Sequence, residues 1–200
     1  MSTIAVSTRQ PVLADVVSQS LLADVLLVVG GAAFVGLLAQ FSWMIHPFVV
    51  PFTGQTLGVL LVGSTLGLRR SLASMALYVL AGIAGLPWFA GATSGYPTHL
   101  FGYLIGFMLS VSLMSWLASK GNDRNVVSAL GLFVIGEVAI YAVGVPWLAI
   151  SYHMSLGAAI TAGMTPFFLF DVIKAIIAGT LLPGTWRLVD RMTKNRTTKS

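Results

Sequence analysis

The sequence predicts an all-α integral membrane protein built as a bundle of six transmembrane helices. Three observations carry that expectation. Hydrophobic residues make up 56% of the chain and charged residues only 8%, against about 25% charged in a soluble domain. The few charges divide the chain into three long apolar blocks. Each block is about twice the roughly 20 residues that a helix needs to cross the hydrocarbon core, so each reads as a helical hairpin.

The first block, Val25 to Leu68, contains no Asp, Glu, Lys or Arg, and Pro47, Pro51 and Gly54 punctuate its centre. It gives spans over about 22–42 and 55–68. Arg69 and Arg70 mark the turn that follows. The second block, Ser71 to Ser119, is again uncharged and is broken between Pro87 and Thr98. It gives spans over about 71–87 and 99–118. Lys120, Asp123 and Arg124 form the next polar turn. In the third block, Asn125 to Trp186, only Glu137, Asp171 and Lys174 interrupt the apolar run. Pro146 marks a turn between Gly144 and Ser155, giving spans over about 126–145 and 165–184. Ser155 to Met164 reads as a partial helix dipping into the fold, which is tolerated at membrane depth only when protein buries it. The expected organisation is an N-terminal cytoplasmic or interfacial segment (1–24), a six-helix transmembrane domain (25–186) and a basic cytoplasmic tail (187–200).

Six spans put both termini on one side. Arg9, Arg69, Arg70, Lys120, Arg124 and the tail residues Arg187, Arg191, Lys194, Arg196 and Lys199 all fall there, while the opposite loops hold no Lys or Arg. This distribution places the termini and both basic turns in the cytoplasm. The expected location is the cell membrane, in multi-pass form. The first 24 residues do not read as a signal peptide, because Asp15 and Asp24 sit where the apolar run should begin.

Several function classes are excluded by inventory. The chain has no Cys, which removes disulfides, thiol nucleophiles and cysteine metal sites. His46, His99 and His153 lie far apart, so no metal site is expected, and none of the three is assigned chemistry. No basic patch interleaves with aromatics, which speaks against nucleic-acid binding. Nothing resembles a phosphate-cradling loop with a Lys. No cofactor is expected, and the chain is not expected to hydrolyse ATP.

A charge near the bilayer centre costs about 2.5–3.5 kcal/mol on insertion scales, so Glu137, Asp171 and Lys174 are functional candidates by default. Asp171 and Lys174 are three residues apart and share a helix face. They are either a carboxylate acceptor and an ammonium donor on a ligand cavity, or a pair that neutralises itself inside the bundle. Glu137 can partner Lys174, line the pocket or reach an edge. A second cluster surrounds one extracytoplasmic turn: Gly82, Gly85, Pro87, Trp88, Phe89, Gly91, Gly95, Tyr96, Pro97 and Tyr103. Glycines let backbone amides approach a ligand and aromatics can flank a ring; an interfacial aromatic belt has the same composition. On the first span, Ala32 and Gly36 form a small-xxx-small step that serves either a partner subunit or an internal contact.

Four ordered stretches resemble a known family. VPFTGQTLGVLLVGSTLGLRRSLASMALYVLAGIAGLPWFAG (Val50 to Gly91), GYLIGF (Gly102 to Phe107), GEVAIYAVGVPWL (Gly136 to Leu148) and GMTPFFLFDVIKAIIAGTLLP (Gly163 to Pro183) are similar to the BioY family. Its members are the biotin-specific S components of energy-coupling-factor (ECF) transporters. The resemblance covers about residues 30 to 190. It implies the six-helix S-component bundle, capture of biotin at the extracytoplasmic face, and partnership with a transmembrane coupling subunit and ABC-type ATPases. The family's biotin-contacting Asp and Lys fall on Asp171 and Lys174. Its glycine-rich and aromatic contacts fall near Trp88, Phe89, Gly91 and Tyr103. Its coupling-subunit contact falls on Ala32 and Gly36. Two departures stand out: the glycine-rich run before the fourth span is shortened to ATSGYPTHLFGY, and FFLFD lacks the Gly that often precedes the family's Asp.

Two other classes of function compete with ligand capture. One is a small intramembrane enzyme using Glu137 and Asp171 as acid and base, with no nucleophile, metal cluster or phosphate motif beside them. The other is a structural membrane subunit, which gives the buried charges no purpose.

The topology is testable because the chain has no native Cys. A Cys placed at Ser94 is expected to react with an impermeant thiol reagent applied outside the cell, while Cys at Ser119 or Ser200 stays protected. The reverse pattern overturns the orientation.

Overall fold

The computed structural model describes residues 10–17, 20–45 and 48–197. Arg9, His46, Pro47, Lys199, Ser200 and the side chain of Arg196 lie outside the described residues. A short helix α1 (Leu13–Val17) precedes α2 (Leu21–Gln40). Two-residue strands β1 (Ser42–Trp43) and β2 (Phe52–Thr53) pair antiparallel and lead into α3 (Gln55–Leu66) and α4 (Leu68–Ile83). Helices α5 (Phe101–Ala118), α6 (Val126–Ser151), the short α7 (Leu156–Gly163) and α8 (Phe168–Thr197) follow, with a 3-10 turn at Thr165–Phe167 before α8.

Local chemistry fixes several of these boundaries. Ser20, Asn125 and Ser155 cap α2, α6 and α7, each side chain accepting a backbone N–H from the first turn. The break between α3 and α4 is Gly67 at φ 79°, a conformation glycine adopts without steric cost. Arg69 and Arg70 therefore sit in the first turn of α4, not in the turn itself, which corrects the expected boundaries of 68 and 71. A second correction concerns Pro146, which lies inside α6. The chain turns only at Tyr152–Met154, where His153 has φ 53°. The partial helix expected at 155–164 is α7. Helix α8 continues through the basic segment to Thr197.

Among the described residues, four helical stretches, α2, α5, α6 and the α7–α8 region, are long and apolar enough to cross a membrane. The 12 residues of α3 span only about 18 Å at 1.5 Å per residue. This is possible because α3 is the central helix, touching α2, α4, α5, α6 and α8, with most of its residues buried. Leu60, Met75, Tyr78, Met114, Phe133 and Leu148 form the fully buried core around it. Phe168, Leu169, Ile173 and Ile177 of α8 point outward, as a lipid-facing surface requires. Buried hydroxyls bond to backbone across helices: Ser115 donates to Gly63 O at 2.6 Å and Ser71 to Val62 O at 2.8 Å.

At the end bearing the basic turns, Arg70 pairs with Asp15 at 2.8 Å and Asp24 at 2.7 Å, tying α1 and the start of α2 to α4. Asp123 is buried and accepts the Trp186 indole N–H at 2.6 Å, while the Arg124 guanidinium lies 4.1 Å from the centroid of the same ring. Burial pushes the Asp123 carboxyl above its ordinary range, and the Trp186 bond opposes that shift.

Helices α5 and α6 approach so closely that a Cβ on Gly106 would lie 2.7 Å from Ile140 O and 2.9 Å from its Cα. Backbone atoms cannot yield as a side-chain tip can. Gly106→Val is expected to destabilise the fold by at least about 1–3 kcal/mol, read as a lowered melting temperature in detergent. Unchanged melting would mean that the two helices separate freely.

Candidate functional site

The segment after α2, the first turns of α3, α5 and α8, the loop between α4 and α5, and the middle of α6 enclose a cavity of about 240 Å³. Its walls are mainly apolar: Leu104 and Phe107 from α5, Ile140 from α6, Phe167 before α8, and Met44, Val50 and Pro51 after α2. The polar groups converge at one place. The Lys174 ammonium donates to Thr56 Oγ1 at 2.8 Å and to Asp171 Oδ1 at 3.1 Å. Tyr141 donates a hydrogen bond to Asp171 Oδ2. The Asp171 and Lys174 side chains are only 10% and 15% exposed, so they meet in a low-dielectric wall.

Sequence position explains this convergence. Asp171 lies in the first turn of α8, where the helix dipole favours a carboxylate. Lys174 follows one turn later on the same face. Thr56 stands in the first turn of α3, whose central place lets it reach α8. Each charged group is thus met by partners from a different helix, as burial demands. Free capacity remains: an ammonium has three donors and two are used, and a carboxylate has about four acceptor sites.

Of the residues singled out from sequence, Phe89, Tyr103, Asp171 and Lys174 line the cavity. Tyr103 is oriented by donating to Gly163 O at 2.8 Å. Trp88 and Gly91 are not on its wall. Trp88 instead packs on α2, its indole N–H donating to Tyr78 O at 2.9 Å. The small-residue face of the first span is turned inward, because Ala32 is fully buried and a Cβ on Gly36 would meet the Trp88 ring at 3.0 Å. Of the two alternatives for this step, a partner subunit or an internal contact, Gly36 makes an internal contact with this chain's own Trp88. Glu137 is buried one turn before Tyr141, off the cavity wall, with both carboxyl oxygens unpartnered. His99 stacks on Tyr152 with ring centroids 4.1 Å apart.

Two glycines seat aromatic rings of the cavity wall. A Cβ on Gly82 would lie 2.2 Å from the Phe89 ring, and one on Gly144 would lie 2.5 Å from Tyr103. These glycines make seats for aromatic rings that in turn face the cavity. Sequence reading missed Thr56 and Tyr141. Both were visible as polar side chains in apolar spans, and Tyr141 lies one turn from Glu137, but neither is charged.

Trp88→Phe removes the bond to Tyr78 O and keeps a ring over Gly36. It is expected to cost about 1 kcal/mol of stability, measured by thermal unfolding in detergent. No loss would show that packing alone holds the ring.

The profile of the BioY family matches residues 8–191 of the chain. The biotin transporter BioY2 of Lactococcus lactis is 34% identical over 150 residues, covering 74% of this chain and 81% of the relative. The biotin transporter BioY of Thermotoga maritima is 36% identical over 151 residues, covering 72% and 86%. A solved S-component for biotin from an ECF-type ABC transporter superposes with a TM-score of 0.74 at 21% identity, covering 83% of this chain and 92% of that one. The fold is therefore that of an ECF S component.

Proposed function

Since the chain belongs to the BioY family, we propose that it captures biotin in the cavity floored by Asp171 and Lys174. The family is one of transporters, which sets aside the enzymatic reading of Glu137 and Asp171. The observation that carries the proposal is the pairing of a mainly apolar cavity with one buried ion pair that retains unused hydrogen-bonding capacity. Biotin's ureido group has two N–H donors for Asp171 and a carbonyl acceptor for an ammonium. Its fused ring and aliphatic tail suit Phe89, Tyr103, Leu104 and Phe107. The third hydrogen of Lys174 is available to the ureido carbonyl or to the carboxylate of the tail.

Capture by itself moves nothing across a membrane. In this reading the chain works as the vitamin-specific subunit beside a transmembrane coupling subunit and ABC-type ATPases. The relatives' function and the absence of a phosphate-binding loop in the sequence support that division of labour. Both termini and the basic turns lie on the cytoplasmic side, with the cavity at the outer end.

The test is biotin titration of folded variants in detergent. Asp171→Asn keeps shape and one acceptor but loses charge. Charged hydrogen bonds contribute about 1.5–3 kcal/mol, so affinity should fall roughly 10- to 150-fold at about 1.4 kcal/mol per decade. Lys174→Met keeps stem length and should fall comparably. Melting of the ligand-free variants is measured in parallel, because an orphaned Asp171 destabilises the fold by its own desolvation. Parent-like affinity in both variants would make the pair structural.

A further inference from the structure

The loop from Ala84 to Leu100 folds over the outer end of the cavity, and Phe89, Ala90, Thr93 and Pro97 form that part of its wall. Its ends are fixed to the bundle. Gly95 N donates to Gly82 O of α4 at 2.9 Å, and Trp147 of α6 donates to Thr98 O at 2.8 Å. Its middle is tied to α4 by Trp88, whose indole N–H donates to Tyr78 O at 2.9 Å while the Tyr78 hydroxyl lies 3.4 Å from Trp88 O, and to α2 by hydrogen bonds from Gln40, the last residue of that helix. The Gln40 amide nitrogen lies 3.1 Å from Trp88 O and 3.3 Å from Phe89 O, and 2.8 Å from Gly36 O of its own helix. Its amide oxygen accepts Ala92 N at 3.0 Å. Two amide hydrogens serve three acceptors, so one is shared. Ala92, so held, has φ 57°, a left-handed conformation that costs a non-glycine residue energy and persists only when neighbours enforce it.

The placement of Gln40 has a mechanical consequence. Helix α2 is the least buried of the four long spans. Directly after Gln40 the chain enters the β1–β2 hairpin, and Met44, Val50, Pro51 and Thr53 from that region wall the opposite rim. One helix end therefore carries one rim covalently and meets the other through the Gln40 amide and the Gly36–Trp88 contact. The Gln40 bonds are partly open to water, so they break at far lower cost than buried ones.

We infer that Gln40 is a positioning residue that latches the 84–100 loop shut over the ligand and couples its opening to movement of α2. This rests on the cavity being the biotin site. Closed-loop capture requires the latch to open for entry and for exit alike. Removing it should speed both, while leaving the wall that touches ligand intact.

The experiment compares wild type with Gln40→Met, which keeps length and loses all the hydrogen bonds. Biotin association and dissociation are timed in detergent. Both rate constants should rise by roughly 10-fold, the equivalent of one decade of lost latch stability, with Kd changing far less. A rise in dissociation alone would make Gln40 a wall or ligand contact and overturn the latch, as would unchanged rates. If Gln40→Met does not fold, Gln40→Glu replaces it, keeping the acceptor for Ala92 and losing both donors; a joint rise of smaller size is then expected.

A second measurement needs no ligand. Leu104→Cys places a thiol on the buried cavity wall, and its labelling by a maleimide should be faster in the latch variant than in the Gln40 background. Equal labelling overturns the inference. If wild type fails to bind biotin while the labelling difference is present, the ligand assignment falls and the latch stands.

Discussion

The Lys174 ammonium, held between Thr56 and Asp171, is the interaction on which the rest of the site depends. A charge taken out of water must be matched in place, because its desolvation exceeds any single contact. The matching groups come from α3 and α8, with Tyr141 of α6 completing the environment of Asp171. Satisfying one ion pair thus sets the relative position of three helices. It also leaves one ammonium hydrogen and part of a carboxylate unused at the edge of an apolar cavity. That residue of capacity separates a binding site from a neutralised pair.

Around this floor, shape is set by small residues placed against large ones. Gly82 seats Phe89, Gly36 seats Trp88, and Gly144 and Gly163 make room for Tyr103. In lipid, helices gain no hydrophobic drive to associate, so close packing and hydrogen bonds must hold them. Glycine at these positions therefore does two jobs. It lets helices approach, and it fixes the rings that wall the cavity. The Tyr103 hydroxyl adds a hydrogen bond to Gly163 O, which ties α5 to the end of α7 and keeps its ring from swinging.

The two ends of the bundle are built on different principles. The end with the basic turns is locked by charge: Arg70 holds Asp15 and Asp24, and Asp123 with Arg124 holds Trp186. The cavity end is closed by a loop held through neutral hydrogen bonds from Gln40, Trp88 and Trp147. A cluster in which one guanidinium joins two helices and a buried carboxylate holds an indole suits a part that stays fixed, and neutral hydrogen bonds open to water suit a part that opens.

The sequence by itself determined the solvent, the all-helical class and the charged pair. A chain with 8% charged residues cannot hide its apolar surface from water, and helices are the only open-chain way to satisfy backbone in lipid. Asp171 and Lys174 stood out because buried charge is costly, and their spacing put them on one face. The tertiary structure alone decided what surrounded them. Thr56 is distant in sequence, Tyr141 is uncharged, and no spacing rule brings either to Asp171 or Lys174. It also decided which way small residues point. Gly36 belongs to a small-residue step and Trp88 to a cluster of aromatics near a candidate site, yet the two meet each other inside the fold. A helix periodicity gives a face but not its neighbour, because the neighbour depends on contacts between residues about 50 positions apart.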